Sequence, residues 1–238
     1  MKKEEWKKGR SLGLEGALGR IGDLTNYVKQ ILKRKSKIKI LEIGCGYGRA
    51  LLELKNIFGN KVEIVGTNLE KEYNFALTKR YALSQGLFLG NKNLPKIYTL
   101  DAGKKLPFKN ESFDFIFCQA TMQYIPNKIL FIQEANRILT KQGMAVLELQ
   151  EFREDHPREY QDLIEIWNNG IKINTLPYLK KFKNVQIKKS KERCWHYILI
   201  KKSQNFNLNL KLAQVINLED ICPSPIFWGK KSIYVLKK

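Results

Sequence analysis

"LEIGCGYGRALLEL", residues 41–54, is the stretch that decides the fold of this 238-residue chain. An apolar run gives way in it to a helical pattern, and Gly44, Gly46 and Gly48 stand between the two. A glycine turn between a strand and a helix usually holds a nucleotide, because glycine lets a ligand approach the backbone and the helix start offers free N–H groups. The stretch therefore predicts a strand, a nucleotide-binding turn and a helix in succession.

Strands and helices alternate around that turn. Apolar runs predict strands at 37–44, 61–68, 96–101, 113–120, 143–150, 185–192 and 194–203. Helical spacing of apolar residues predicts helices at 22–35, 48–59, 71–86, 127–140 and 156–169. This alternation predicts an α/β fold: a Rossmann-like, seven-stranded, mostly parallel sheet with helices on both faces and an antiparallel last strand. Ligands of such sheets bind at the carboxyl ends of the strands.

The length of the chain accommodates one large α/β domain with additions at both ends. Residues 1–36 are predicted to form an N-terminal helical cap, residues 37–203 the main domain, and residues 204–238 a C-terminal β extension that packs on it. In the extension, "FNLNLKL" at 206–212 alternates apolar and polar residues, which predicts a half-buried strand.

The net charge of +20 is concentrated at the two ends of the chain. Residues 1–40 carry 12 Lys/Arg against 4 Asp/Glu, residues 178–238 carry 14 against 3, and residues 41–177 carry 17 against 16. Basic ends can draw in nucleic acid, an anionic membrane or an acidic small molecule. With 34 lysines but only 9 arginines, the excess can equally reflect the base composition of the genome. The charge alone therefore leaves open whether the substrate is anionic.

The cysteines and the apolar runs bear on cellular context. Cys45, Cys118, Cys194 and Cys222 lie far apart and form no C-x-x-C pair, so we expect reduced thiols, a cytoplasmic location and no metal site. No apolar run approaches the roughly 18 residues of a membrane span. The amino terminus lacks the apolar segment of a signal peptide. The oligomeric state is left open by the sequence.

The chemistry of the glycine turn argues against a dinucleotide. Its spacing is G-x-G-x-G rather than G-x-G-x-x-G, and Glu42 stands two residues before the first glycine. A carboxylate at that point would repel a pyrophosphate, whereas it would attract a ligand that carries an ammonium group or a positively charged sulfur.

Four motifs in order resemble those of the class I S-adenosylmethionine-dependent methyltransferases. They are "ILEIGCGYGRALLEL" at 40–54, "VEIVGTNLE" at 62–70, "YTLDAGKKLPFKNESFDFIFCQATMQYIPN" at 98–127 and "ANRILTKQGMAVLEL" at 135–149, with Gly143 in the turn between helix and strand. The resemblance covers about residues 37–150 and is greatest to the small-molecule branch typified by ubiquinone and menaquinone biosynthesis methyltransferases. It implies S-adenosyl-L-methionine as cofactor and S-adenosyl-L-homocysteine as product.

The resemblance also implies which residues bind this cofactor. The glycine turn would approach the methionine end and the adenosine, Glu42 would act electrostatically near the amino acid part, Asp101 would accept a hydrogen bond from the adenine amino group, and Gln119 and Ala120 would line the methionine end. The full predicted set is Glu42, Gly44, Cys45, Gly46, Gly48, Asn68, Leu69, Asp101, Ala102, Gln119 and Ala120.

Asn68 departs from the family pattern, in which an Asp or Glu at the end of the second strand commonly bonds both ribose hydroxyls. An amide can accept one such bond and donate another, so ribose binding is expected to survive without the charge. We expect a cost of about 1 kcal/mol in cofactor binding. Glu70, two residues further on, is an alternative ribose contact.

Methyl transfer from a sulfonium requires mainly alignment and exclusion of water, and needs a base only when the acceptor must lose a proton. His156, after the fifth strand, is a candidate base or else part of a helix start. Tyr124 is a second candidate catalytic residue, and Gln123 and Tyr124 follow the fourth strand, where relatives contact their acceptors. His196, inside a late strand, is interpreted as structural.

The acceptor is not identified by the sequence. The stretch "CQATMQYIP" at 118–126 lacks the [DNS]-P-P-[YFW] tetrad of enzymes that methylate exocyclic amines, which argues against adenine-N6 and cytosine-N4 methylation. The expected activity is methylation of a small molecule or natural product on oxygen, carbon or nitrogen. The alternatives are an RNA methyltransferase whose lysine-rich ends hold phosphates, and a non-catalytic partner protein that binds the cofactor.

Overall fold

The computed structural model of the chain describes residues 6, 12–149, 165–168, 171–174, 179, 182–191, 196–204 and 206. Among these residues, none of the helices has both the length and the apolar content that crossing a bilayer requires. The predicted strand at 206–212 lies outside the described residues, except for Phe206, which is buried in the core.

One sheet contains seven strands of the described chain: β1 (Ile38–Ile43), β2 (Val62–Asn68), β3 (Lys96–Thr99), β4 (Phe113–Cys118), β5 (Leu139–Leu149), β8 (Val185–Lys189) and β9 (His196–Lys201). Their order across the sheet is β3-β2-β1-β4-β5-β9-β8. Neighbours from β3 to β5 pair in parallel, whereas β9 runs antiparallel to both β5 and β8. The predicted seven-stranded, mostly parallel sheet with an antiparallel last strand is therefore confirmed.

Five helices connect or precede these strands in the described part of the chain. Three of them begin after a side chain, from Asp23, Asn74 or Asn127, that accepts a backbone N–H of the first turn and so satisfies a donor that the helix leaves unpaired. The five are α1 (Leu14–Arg20), α2 (Leu24–Leu32), α3 (Arg49–Phe58), α4 (Phe75–Ser84) and α5 (Lys128–Ile138).

The sheet separates two apolar clusters, because successive side chains of a strand point to opposite faces. One cluster joins α5 to the sheet and includes Phe131, Ile116 and Ile198. The other lies under α1, α2 and α3 and includes Phe115 and Leu199. Burial of both faces explains why the central strands read as almost continuous apolar runs.

The first helices pack on the sheet as a cap. Val28 and Ile31 of α2 are buried in the cluster on that face. The carbonyl of Gly19 in α1 accepts hydrogen bonds from Ser190 Oγ at 2.7 Å and from the Lys191 N–H at 3.0 Å, both beyond the end of β8. Gly19, within the basic segment 1–40, therefore contacts Ser190 and Lys191, within the basic segment 178–238. The domain boundaries at 36 and 203 stay predictions.

Two sequence-based expectations were wrong in their details. The helix expected at 156–169 is replaced over Glu165–Asn168 by strand β6, which pairs antiparallel with β7 (Ile171–Asn174); residues 156–164 lie outside the described residues. Gly143 was expected in a turn, but β5 begins directly after α5 and contains it. The pairing with β4 shifts from Phe113↔Leu139 to Phe115↔Met144, so the extra residues form a bulge within the strand.

A partly buried ion pair holds the long connection between β3 and β4. Glu134 Oε2 accepts the Leu106 N–H at 2.8 Å and pairs with Arg137 Nη2 at 2.6 Å. Arg137 in turn donates to the carbonyls of Leu106 and Phe108 at 3.0 and 2.9 Å. Burial by itself would raise the pKa of Glu134, but Arg137 and the Leu106 amide outweigh it, so the pKa is lowered.

We predict that Glu134→Gln lowers the free energy of unfolding by about 2 kcal/mol near neutral pH, because the charge-assisted bonds are lost. The difference from the unchanged protein should vanish as the pH falls through the lowered pKa of Glu134, where the native carboxylate itself takes up a proton. Denaturant unfolding over a pH series measures this. Glu63→Gln, on an exposed pair with Lys39, is the control; an equal loss in both variants would contradict the prediction.

Candidate functional site

The glycine turn lies where the order of the strands reverses. The sheet continues from β1 to β2 on one side and to β4 on the other, so a crevice opens between the carboxyl ends of β1 and β4. The turn, residues 44–48, leads from β1 into α3 at this point. The crevice is the position at which open α/β sheets bind ligands.

The turn depends on glycine for conformation and for packing. Gly44, Gly46 and Gly48 have φ of +70°, +52° and +79°, which side-chain-bearing residues rarely adopt. A Cβ on Gly44 would lie 2.3 Å from the side chain of Thr121. At Gly44, therefore, the close neighbour that excludes a side chain is Thr121 of the protein itself.

Asn68 holds the turn in place from the end of β2. Its Oδ1 accepts the Gly46 N–H at 2.8 Å, and its Nδ2 lies 3.2 Å from the Gly46 carbonyl and 3.4 Å from that of Tyr73. Nδ2 also contacts the Cys45 sulfur at 3.3 Å. The amide is buried and fully engaged within the protein. This use of Asn68 was not foreseen from the sequence, which suggested only a ribose contact.

Glu42 and Gln119 form a buried polar pair between β1 and the end of β4. Gln119 Nε2 donates to Glu42 Oε1 at 3.2 Å and lies 3.5 Å from the Leu12 carbonyl. The other oxygens, Glu42 Oε2 and Gln119 Oε1, are buried and have no hydrogen-bond partner among the described residues. Desolvation by burial raises the pKa of Glu42 well above its ordinary value, and the bond from Gln119 opposes this only in part.

The turn after β4 is held from β5. Ala120 has φ of +50° although it is not glycine, and its N–H donates to Glu148 Oε2. Glu148 is buried, and its Oε1 accepts from Arg20 Nη1 at 2.8 Å. Thr121 Oγ1 lies 3.3 Å from the Gly44 carbonyl, within hydrogen-bonding distance. This turn therefore joins the glycine turn to β5 and to α1.

Asp101 lies beyond the end of β3 and is half-buried. Its Oδ1 accepts the Gly103 N–H at 2.8 Å, and its Oδ2 is 3.6 Å from the exposed Lys104 ammonium. Ala102 packs against the core, while the side chain of Leu69 is 67% exposed. The strand order puts these residues on the β2–β3 side of the crevice.

The predicted catalytic and acceptor residues are only partly described. Tyr124 lies in a 3₁₀ turn, Met122–Tyr124, after β4, and is half-exposed. Gln123 belongs to the same turn, and His196 pairs through its backbone with Leu149 of β5. His156 lies outside the described residues.

A cluster of aromatic side chains backs the glycine turn and was not foreseen from the sequence. Tyr47, inside the turn, stacks on Tyr81 of α4 with ring centroids 4.9 Å apart and lies 5.4 Å from the ring of Tyr73. Trp6 packs edge-on against Tyr47 and Tyr81 at 5.0 and 5.1 Å. A cleft of about 490 Å³ opens beside Tyr47 and Tyr73. Trp6, near the start of the chain, therefore supports the turn.

Glu148 and Thr121 are further residues of the site that sequence reasoning missed. The only signal for Glu148 was a charged residue inside the apolar strand "AVLEL", and Thr121 gave none.

Of the four cysteines, Cys45 and Cys118 are described, and both are buried and free. Within the described ranges, no group of three or more His, Cys, Asp and Glu side chains has the arrangement of a metal site.

Comparison with known proteins places these residues in context. Residues 41–147 match the family model described as a methyltransferase domain. A curated relative, the sterol 4-C-methyltransferase strm-1 of Caenorhabditis elegans, is 23% identical over 141 residues, which are 58% of this chain and 40% of that protein. The chain therefore spans less than half the length of that relative.

Solved structures show the same fold. The DszA carbon methyltransferase superposes with a TM-score of 0.54 at 18% identity, covering 79% of this chain and 53% of the other. The methyltransferase domain of citrinin polyketide synthase gives a TM-score of 0.53 at 18% identity, covering 77% and 52%. At this level of identity the likeness establishes the architecture alone.

We predict that Asn68→Asp, which restores the acidic residue common at this position, lowers the free energy of unfolding by about 2 kcal/mol. The carboxylate would lose the amide donor and would face the carbonyls of Gly46 and Tyr73. Thermal unfolding of the ligand-free protein measures the effect. Asn93→Asp, whose amide caps an exposed turn, is the control; an Asn68→Asp variant as stable as the unchanged protein would show that Asn68 does not hold the turn.

Proposed function

We propose that residues 41–147, which match the model of a methyltransferase domain, form a class I S-adenosylmethionine-dependent methyltransferase domain, and that the chain transfers a methyl group from S-adenosylmethionine to a small-molecule acceptor. The bound cofactor supplies an activated methyl group on a positively charged sulfur. The residues of the chain bind and orient both reactants and exclude water from them.

The observation that carries the proposal is the pair of unsatisfied oxygens, Glu42 Oε2 and Gln119 Oε1. Buried polar atoms are nearly always hydrogen-bonded, so two bare acceptors beside the crevice indicate that a ligand supplies the donors. The ammonium group of the cofactor has three donors and a positive charge, which suits a carboxylate paired with an amide oxygen. The residues present therefore fit the methionine end of this cofactor.

The remaining predicted contacts are distributed over the carboxyl ends of the strands. We assign the adenine amino group to Asp101, whose exposed pairing with Lys104 at 3.6 Å costs little to give up. Leu69 and Ala102 offer apolar surface beside it. Since the Asn68 amide is engaged with the glycine turn, the exposed Glu70 is the acidic side chain best placed in the sequence for the ribose.

The acceptor side is assigned to the turn after β4. Tyr124 and Gln123 orient the acceptor, and His156 removes a proton where the acceptor must lose one. The name of the curated relative, a sterol 4-C-methyltransferase, supports a small organic acceptor. Three further points stay predictions. They are methylation on oxygen, carbon or nitrogen, an anionic acceptor and a cytoplasmic location.

The proposal is tested first by calorimetry with S-adenosylmethionine and S-adenosylhomocysteine, and then by transfer of a labelled methyl group. A metabolite extract and purified RNA are offered as separate acceptors. Label in the metabolite fraction supports the proposal, and label confined to RNA overturns it in favour of an RNA methyltransferase. Binding without transfer to either pool would favour a non-catalytic cofactor-binding protein, and absence of binding would refute the cofactor assignment.

We predict that Glu42→Gln weakens S-adenosylmethionine binding by about 10- to 100-fold, the worth of a hydrogen bond to a charged group. In the unchanged protein, affinity should fall as the pH is lowered through the raised pKa of Glu42, because the protonated carboxyl no longer attracts the ammonium. Calorimetry across pH measures both effects, and the Glu42→Gln variant should lack this pH dependence.

The same substitution should stabilise the ligand-free protein. When folding raises the pKa of a carboxyl group, the free energy of unfolding of the protein falls as the pH rises from the ordinary pKa through the raised one. Glu42→Gln should therefore melt at a higher temperature than the unchanged protein at neutral pH and at the same temperature in acid. Equal melting at neutral pH, with the exposed Glu63→Gln as control, would show that Glu42 is not an unsatisfied buried charge.

A further inference from the structure

We propose that Glu148 is a positioning residue that fixes the turn after β4, and that Arg20 extends this control to the N-terminal cap. The inference rests on the proposed function, because it concerns how tightly this turn holds the cofactor. It assigns a role to a buried carboxylate that the family motifs did not single out.

Glu148 uses both carboxylate oxygens to join separate parts of the chain. Oε2 accepts the Ala120 N–H, and Oε1 accepts from Arg20 Nη1 at 2.8 Å. The Glu148 side chain is fully buried, and that of Arg20 is 15% exposed. Burying a carboxylate is costly unless it is paired and hydrogen-bonded, and inside β5 Arg20 supplies a charge partner and Ala120 a hydrogen bond to Glu148.

The bond to Ala120 acts on an uncommon backbone conformation. Ala120 has φ of +50°, which a residue with a Cβ adopts only when its surroundings impose it. Glu148 supplies that constraint by fixing the direction of the Ala120 N–H. Without the carboxylate, the turn would relax toward the ordinary conformations of alanine.

The conformation of this turn determines where its neighbours face. Gln119 directs its amide to Glu42, and Thr121 places its hydroxyl against the Gly44 carbonyl. Gln119 and Thr121 are the direct neighbours of Ala120 in the sequence. A relaxed turn would therefore displace the Gln119 oxygen that we assign to the cofactor and loosen the contact with the glycine turn.

Arg20 makes the N-terminal cap part of this arrangement. It is the last residue of α1, and the carbonyl of the preceding Gly19 is bonded to Ser190 and Lys191 beyond β8. The cap is thus fixed on the sheet independently of the crevice. A path of direct hydrogen bonds leads from α1 through Arg20 and Glu148 to Ala120, although none of these side chains needs to touch the cofactor.

The experiment compares Glu148→Gln, Arg20→Lys, Ala120→Gly and the double variant Glu148→Gln with Ala120→Gly, each in the 238-residue chain. Glu148→Gln should weaken S-adenosylhomocysteine binding by about 10- to 100-fold, as expected for losing a charge-assisted bond. Arg20→Lys keeps the positive charge and should lose less affinity for S-adenosylhomocysteine than Glu148→Gln does. Ala120→Gly should recover part of the affinity in the Glu148→Gln background, because glycine adopts the left-handed conformation freely.

A second readout uses the ligand-free protein labelled with ¹⁵N-alanine. The Ala120 amide resonance is identified by its disappearance in Ala120→Gly. We expect it far downfield in the unchanged protein, because its N–H donates to a carboxylate, and shifted upfield in Glu148→Gln. The matched control is Glu134→Gln, which also removes a buried carboxylate that joins an arginine to a backbone N–H, but at Leu106 rather than at Ala120. It should lower the melting temperature and leave the Ala120 resonance unchanged.

The outcomes separate this inference from the proposed function. If the unchanged protein binds S-adenosylhomocysteine and Glu148→Gln binds it equally well, the inference is overturned. It is also overturned if the Ala120 resonance does not move, or if affinity is lost without recovery by Ala120→Gly. Failure of the unchanged protein to bind refutes the cofactor assignment, while the resonance still tests the hold of Glu148 on Ala120. If Glu148→Gln does not fold, the Ala120 resonance of Arg20→Lys is compared with that of the unchanged protein. An upfield shift supports the inference, and an unchanged position overturns it.

Discussion

The contact between the carboxyl ends of β1 and β4 is the constraint on which the site depends. Glu42 meets Gln119 there, and Gly44 meets Thr121, with no room for a Cβ between the last two. These contacts put a bare backbone turn, a buried carboxylate and a polar amide around one crevice. Since β1 and β4 are neighbours where the strand order reverses, the crevice itself is a consequence of topology.

Charge inside this region is distributed unequally. Glu148 forms an ion pair with Arg20 and accepts a hydrogen bond from the Ala120 N–H, whereas within the described part of the chain the Glu42 carboxylate is bonded only to the neutral Gln119. One carboxylate therefore has a partner of opposite charge within the protein, and the other is the one to which we assign the cationic cofactor. The protein accepts the cost of burying Glu42 in its free state, which is the ordinary relation between stability and function at binding sites. The neutral Asn68 fits this distribution, because a third carboxylate beside the turn would add repulsion without an available cation.

Part of the positive charge near the amino terminus forms ion pairs within the protein. Residues 1–40 and 178–238 are separated by more than a hundred residues in the sequence, yet Gly19 of the first segment accepts hydrogen bonds from Ser190 and Lys191 of the second. Arg20, one of the basic residues near the amino terminus, is spent on Glu148 inside the protein. Lys35 likewise pairs with Asp114 at the start of β4. Part of the N-terminal positive charge thus stabilises the cap on the sheet, and the net charge alone is a weak guide to the substrate.

What the sequence determined by itself was the local order of strands, turns and helices. The periodicity of residues 37–149 predicted the parallel sheet, and the G-x-G-x-G spacing after an apolar run located the turn between β1 and α3, because both signals are local in the sequence. Two predictions failed because strand pairing overrode the local signal. Residues 165–168 have helical spacing but pair with β7 as strand β6. Gly143 was expected in a turn but lies in β5, whose pairing with β4 contains a bulge. Only tertiary structure could decide that Asn68 holds the turn, that Thr121 fills the space over Gly44, and that Glu148 joins Arg20 to Ala120. These contacts join residues 22 to 128 positions apart, and hydrogen bonds over such separations leave no periodic trace in the sequence.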